Sequence, residues 1–144
     1  MRIEKVLAGK GSTTVATITA ESTVRQALAE LARHRIGALI VSPDGTSIAG
    51  IVSERDVVRA LDRDGPGVIE QPVASIMSTD LHTCGPEDEV DAIMALMTAK
   101  RIRHVPVLRD GSLAGIVSIG DVVKSRIDEL EGDRKALVDF IYAR

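Results

Sequence analysis

The segment Gly50-Ile51-Val52-Ser53-Glu54-Arg55-Asp56-Val57-Val58 returns 65 positions later as Gly115-Ile116-Val117-Ser118-Ile119-Gly120-Asp121-Val122-Val123. Upstream, Asp44-Gly45-Thr46 returns as Asp110-Gly111-Ser112 at an offset of 66. Val24, Ala27, Leu28 and Leu31 match Val90, Ile93, Met94 and Met97 at that same offset, so one deletion near Ser47 aligns the two halves. Separate blocks recurring in the same order make the chain a tandem repeat, and each copy has the length of one supersecondary unit.

Both copies parse alike. Val15 to Thr19, and Leu81 to Gly85, are short extended segments. Ser22 and Asp88 are N-cap candidates for a first helix, whose apolar residues recur at i, i+3, i+4 and i+7 and so form one buried stripe. Ala38 to Ser42 and His104 to Leu108 are rich in branched residues and predict strands. Pro43-Asp44-Gly45 and Arg109-Asp110-Gly111 supply turn chemistry before second strands at Ile48 to Val52 and Leu113 to Val117. A second helix starts at Ser53 or Ser118. Val6 to Leu7 and Val73 to Met77 predict a short lead-in helix before each copy.

A unit of this size leaves one sheet face and two helix stripes uncovered, and two units packed together cover them. The expected fold is α/β, of the α+β kind: two β-α-β-β-α repeats related by pseudo-two-fold symmetry. Repeat 1 spans 8–62, a linker 63–75, repeat 2 76–126 and a helical tail 127–144. In the tail, Ile127, Leu130, Leu137, Val138 and Ile141 fall near one face of an amphipathic helix, interrupted at Gly132. That stripe needs a cover, either its own module or a second chain.

The 144 residues carry a net charge of −3, which points away from DNA, RNA or an anionic membrane face. With no Trp, and with Phe140 and Tyr142 both in the tail, base stacking on aromatic platforms is not expected. Cys84 is the single cysteine, so no intramolecular disulfide can form. The charged start of the chain does not resemble a signal peptide, and no apolar run reaches membrane length. The expectation is a soluble cytoplasmic protein. His34, His82 and Cys84 have no partners at metal-ligand spacing, so no metal site is expected.

The order of strand, helix, hairpin and then Gly-Ile-Val-Ser-x-x-Asp-Val-Val resembles the CBS module, named for cystathionine β-synthase. Ile36 to Val41 and Arg103 to Val107 resemble that family's first hairpin strand, and the likeness runs over about residues 1–126. The tandem pair is called a Bateman module. The resemblance implies two clefts between the repeats for adenosyl ligands: AMP, ADP or ATP, with NAD or S-adenosylmethionine as further candidates. It implies that Asp56 and Asp121 accept hydrogen bonds from ribose hydroxyls and that Ser53 and Ser118 face phosphate or ribose. It places Thr17 and Thr83 near the base, and it matches Arg103 and His104 to a basic pair that holds phosphate in a nucleotide-sensing member.

Elementary chemistry agrees, since a helix N-terminus suits a phosphate and a carboxylate suits a vicinal diol. Ser-x-x-Asp at a helix start is equally a capping box, and the two roles can coexist. The copies differ: Arg103 and His104 stand where repeat 1 has Gly37 and Ala38, while Glu54 and Arg55 stand where repeat 2 has Ile119 and Gly120. Arg55 can therefore serve phosphate beside its own motif, and the clefts should differ in affinity. No nucleophile elbow, P-loop or HExxH signature occurs, so no catalyst or catalytic cofactor is expected. The expected function is a stand-alone nucleotide sensor, homodimeric, acting on an unidentified target protein. The alternative is a non-catalytic interaction scaffold with degenerate clefts.

Overall fold

A computed structural model describes residues 1–11 and 14–143. Helix α1 (Ile3–Ala8) precedes repeat 1, which consists of β1 (Thr17–Ile18), α2 (Val24–His34), β2 (Ala38–Val41), β3 (Gly50–Ser53) and α3 (Glu54–Asp64). Two short 3-10 turns, Pro66–Glu70 and Val73–Ser75, lead into α4 (Val90–Lys100), β4 (His104–Arg109), β5 (Ser112–Ser118) and α5 (Ile119–Tyr142). In repeat 1, β1 lies parallel to β2, and β2 antiparallel to β3. In repeat 2, β4 and β5 form an antiparallel pair, and the counterpart of β1 shrinks to one parallel bridge between Cys84 and Val107. Among the described residues no helix is long and apolar enough to cross a membrane.

The first helix of each repeat begins one residue later than its expected cap. Thr23, not Ser22, caps α2 in a reciprocal box with Gln26, while Glu89 takes the cap position of α4 without a side-chain cap bond. The Asp88 carboxylate instead accepts the Gly85 N–H at 2.7 Å. The expected caps at the second helices stand: Ser53 with Asp56, and Ser118 with Asp121. Both first helices end on an arginine in the left-handed region, Arg35 at φ 54° and Arg101 at φ 55°, where glycine is the unstrained residue.

The two lead-in segments cross over, which the sequence pattern did not anticipate. Ile3 and Val6 enter the core of repeat 2 beside Val90, Val105, Val107, Val117 and Val122. Val73 enters the core of repeat 1 beside Ala27, Leu31, Leu39 and Val52, with Ile76 and Met77 packed on its edge. The backbone repeats this exchange as a two-fold pair. The Ile3 N–H donates to Asp88 O at 2.9 Å, and the Val73 N–H to Ser22 O at 2.7 Å. The Val90 N–H donates to Met1 O and the Val24 N–H to Gln71 O, both at 2.9 Å.

One glycine in each second hairpin strand, Gly50 in β3 and Gly115 in β5, makes room for the crossing segment. A Cβ at Gly50 would lie 2.8 Å from Met77 Sδ and 2.9 Å from Ser78 O, while one at Gly115 would lie 2.8 Å from Leu7 Cδ2. Ser78 O is backbone, whereas the Leu7 methyl ends a flexible side chain. Gly50→Ala is therefore expected to destabilise the fold by about 1–3 kcal/mol, the range for overpacking, and Gly115→Ala by less. Urea unfolding of the two variants checks that order.

Helix α5 is continuous through Gly132, so the interruption expected there does not occur. Only Val122 on it is fully buried, and the tail does not fold back on its own module. Ile127 (50% exposed), Leu130 (56%), Leu137 (61%) and Ile141 (58%) all face outward.

Candidate functional site

The crossover presses the repeats together and leaves two clefts at their junction. The first has a volume of about 540 Å³. Repeat 1 lines it with Ser53 to Asp56 and Arg59 at the start of α3, and repeat 2 with Asp80 to His82 and Lys100 to His104. The second, of about 640 Å³, inverts this arrangement. Ile116, Ser118 and Asp121 come from repeat 2, Thr14 to Ala16 and His34 to Ala38 from repeat 1, and Leu7 and Lys10 from the entry segment.

Five of the expected site residues, Ser53, Arg55, Asp56, Arg103 and His104, come together in the first cleft. Ser118 and Asp121 line the second, and His104 forms a wall common to both. Thr17 and Thr83 line neither. Thr17 is half-buried in β1 opposite Ile40, and Thr83 is exposed. Because β1 holds only two residues, the chain reaches its cleft earlier, at Thr14 to Ala16, and the equivalent stretch of repeat 2 is Asp80 to His82.

Each Ser-x-x-Asp motif caps its helix and still faces its cleft. In the first, Ser53 Oγ accepts the Asp56 N–H at 3.2 Å. Asp56 Oδ2 accepts the Ser53 N–H at 2.8 Å and the Ser53 hydroxyl at 3.0 Å. No bond from the described residues reaches Asp56 Oδ1, so one carboxylate oxygen is left for a ligand. In the second cleft, Asp121 Oδ2 accepts both the Ser118 N–H at 2.9 Å and the Lys10 ammonium at 2.8 Å. Burial alone would raise the Asp121 carboxyl, but the Lys10 and Ser118 bonds outweigh it and hold it below the usual carboxylate range.

The clefts differ in charge. Arg55, Arg59, Lys100, Arg101 and Arg103 line the first against Glu54, Asp56 and Asp80, leaving cations in excess. Arg55 donates to the Arg101 carbonyl at 3.2 Å, a bond that ties the repeats together across this cleft. The second cleft has Lys10 and Arg35 facing Asp121. Burial lowers the His104 pKa, against the pull of Asp121 and Glu54, so the shared wall is a neutral imidazole at neutral pH. It lies close to Gly37, where a Cβ would stand 3.2 Å from the ring. Cys84 is buried and its thiol is pushed up to about 11, mainly by desolvation, so it carries no thiolate chemistry here.

Sequence reasoning missed Lys10, Arg35, Lys100, Arg101 and His82. For Arg35 and Arg101 a signal existed: each occupies the position after a helix where glycine is the economical residue.

Comparison with known proteins matches the CBS domain family twice, over residues 11–63 and 73–128. A mitochondrial CBS domain-containing protein of Arabidopsis thaliana is 38% identical over 127 residues, covering 85% of this chain and 62% of its own length. This chain thus spans less than two thirds of that relative. The crystal structure of a CBS-domain containing protein from Agrobacterium tumefaciens superimposes with a TM-score of 0.84 at 37% identity, covering 88% of this chain and 99% of that one. A CBS domain protein from Pyrobaculum aerophilum, complexed with AMP, superimposes with a TM-score of 0.74 at 27% identity, covering 84% of this chain and 89% of its own. With two matched copies that fold into facing halves around paired clefts, the chain belongs to the CBS domain family as a tandem pair.

Proposed function

We propose that this chain is a nucleotide-responsive regulatory protein whose first cleft takes AMP, ADP or ATP. The observation that carries this reading is the composition of that cleft. A carboxylate with a free oxygen, Asp56, stands at a helix start, and cations from both repeats face it. A carboxylate is the acceptor a ribose diol requires, and a cationic wall is what its phosphates require. Arg101 and Arg103 belong to repeat 2 and Asp56 to repeat 1, so a bound nucleotide touches both and favours one angle between them. The AMP bound by the Pyrobaculum relative supports the same ligand class. The role so inferred is regulatory.

The output runs through a homodimer. The outward stripe of α5, from Ile127 to Ile141, supports this, since a row of aliphatic side chains half or more exposed needs a second apolar surface. A target protein then reads the dimer's shape.

Thermal unfolding tests the ligand reading. AMP, ADP or ATP at a hundred times its dissociation constant stabilises a folded protein by about 2.7 kcal/mol. At this chain length that is roughly 5–10 °C in midpoint. No shift with any of the three, nor with NAD or S-adenosylmethionine, at millimolar concentration would sink the proposal and favour the scaffold alternative.

A further inference from the structure

The two Ser-x-x-Asp motifs are alike, but their surroundings are not. From Leu7 to Thr14 the chain takes seven steps, whereas from Met77 to Asp80, the equivalent stretch, it takes three. Repeat 1 thus enters its cleft with four extra residues, and Lys10 lies within that excess. Its ammonium donates to Asp121 Oδ2 at 2.8 Å and to Ile116 O at 2.8 Å. In the other half, the carbonyl equivalent to Ile116 O is Ile51 O, which accepts the Ser78 backbone N–H at 2.8 Å. Ala8, at the position matching Ser78, belongs to helix α1, and the lysine side chain supplies the donor to Ile116 O instead.

We propose that Lys10 is a tethered competitor for the second cleft and determines its specificity: its ammonium holds Oδ2 of the carboxylate that a ribose diol would bridge. This rests on the reading of Asp56 and Asp121 as diol acceptors. Oδ1 of both aspartates takes no bond from the described residues. A diol that bridges both carboxylate oxygens must still displace the charge-assisted Lys10 bond from Asp121 Oδ2, whereas at Asp56 Oδ2 it meets only the neutral Ser53 donors. The pair is partly buried, with Lys10 30% and Asp121 25% exposed, and solvent does not cancel it as it would a fully exposed pair. The clefts are therefore unequal before any ligand arrives, with the first filling and the second latched.

The test uses adenosine, which lacks phosphate, titrated calorimetrically into the full chain. Asp56→Asn silences the first cleft, and Lys10→Met or Lys10→Gln is added to it. The expected result is adenosine binding at the second cleft at least tenfold tighter in both lysine variants than with Lys10 present, and lost again on adding Asp121→Asn. Circular dichroism on each variant checks the fold, and Lys10→Gln retains a donor for Ile116 O should Lys10→Met be unstable. Equal or weaker adenosine binding without Lys10 overturns the latch. If AMP binds the parent protein and Asp56→Asn abolishes that binding, the functional reading survives such a result. If no nucleotide or nucleoside binds the parent at all, the functional reading fails first and takes the latch with it.

Discussion

Asp56→Ala is expected to weaken AMP binding at the first cleft about 100-fold, the ~2.7 kcal/mol that loss of a charge-assisted hydrogen bond costs. The variant also removes a helix cap, because Asp56 Oδ2 accepts both the Ser53 N–H and its hydroxyl. That second loss should appear as roughly 1 kcal/mol of stability, whatever the ligand. Asp56→Asn separates the two. Its amide oxygen can still accept the Ser53 N–H, so its unfolding midpoint should stay near the parent's while its AMP affinity falls. Calorimetric titration beside urea unfolding reads both quantities. If Asp56→Asn bound AMP as the parent does, the motif would be a cap and nothing more.

Ile3→Ala is expected to destabilise the protein by about 2–5 kcal/mol, although it changes a residue two places from the start of the described chain. Ile3 is 0% exposed and sits in the core of repeat 2, against residues more than 80 positions later. At this chain length the change lowers the midpoint by on the order of 10 °C. Val73→Ala makes the mirror test in repeat 1, with a smaller loss because fewer methyl groups leave. An Ile3→Ala variant as stable as the parent would mean that α1 rests on the surface instead of sealing a core.

The repeat was legible because duplication marks itself in any reading. The strands followed from branched residues such as Ala38-Leu39-Ile40-Val41, and the second helices from Ser53 and Ser118. The crossover was not legible. Val6-Leu7 and Val73-Met77 showed apolar character, but nothing local says which of two similar cores an apolar turn enters. The site was half legible. Ser53, Asp56, Ser118 and Asp121 sit in a fixed frame at helix starts, which a motif captures. Thr17 and Thr83 were misplaced because a two-residue strand sets no firm register, and three positions along an extended segment turn a side chain to the other face. Lys10 escaped notice because a lysine in a loop looks solvated until its partner, 111 residues away in sequence, is brought beside it.

The exchange of lead-ins also sets the order of events during synthesis. Ile3 and Val6 leave the ribosome more than 100 residues ahead of Val117 and Val122, which the core that receives them needs. At a translation rate of about 5–20 residues per second, these apolar side chains wait on the order of ten seconds without their partners. Repeat 1 meets a shorter delay, since Val73 follows soon after its own strands. The lead-in of repeat 1 is thus sealed only after repeat 2 is made, and a nascent chain stalled between the repeats presents a finished first half with a bare apolar helix turn beside it. For this fold, the interval before residue 122 emerges is the window in which a chaperone has something to hold.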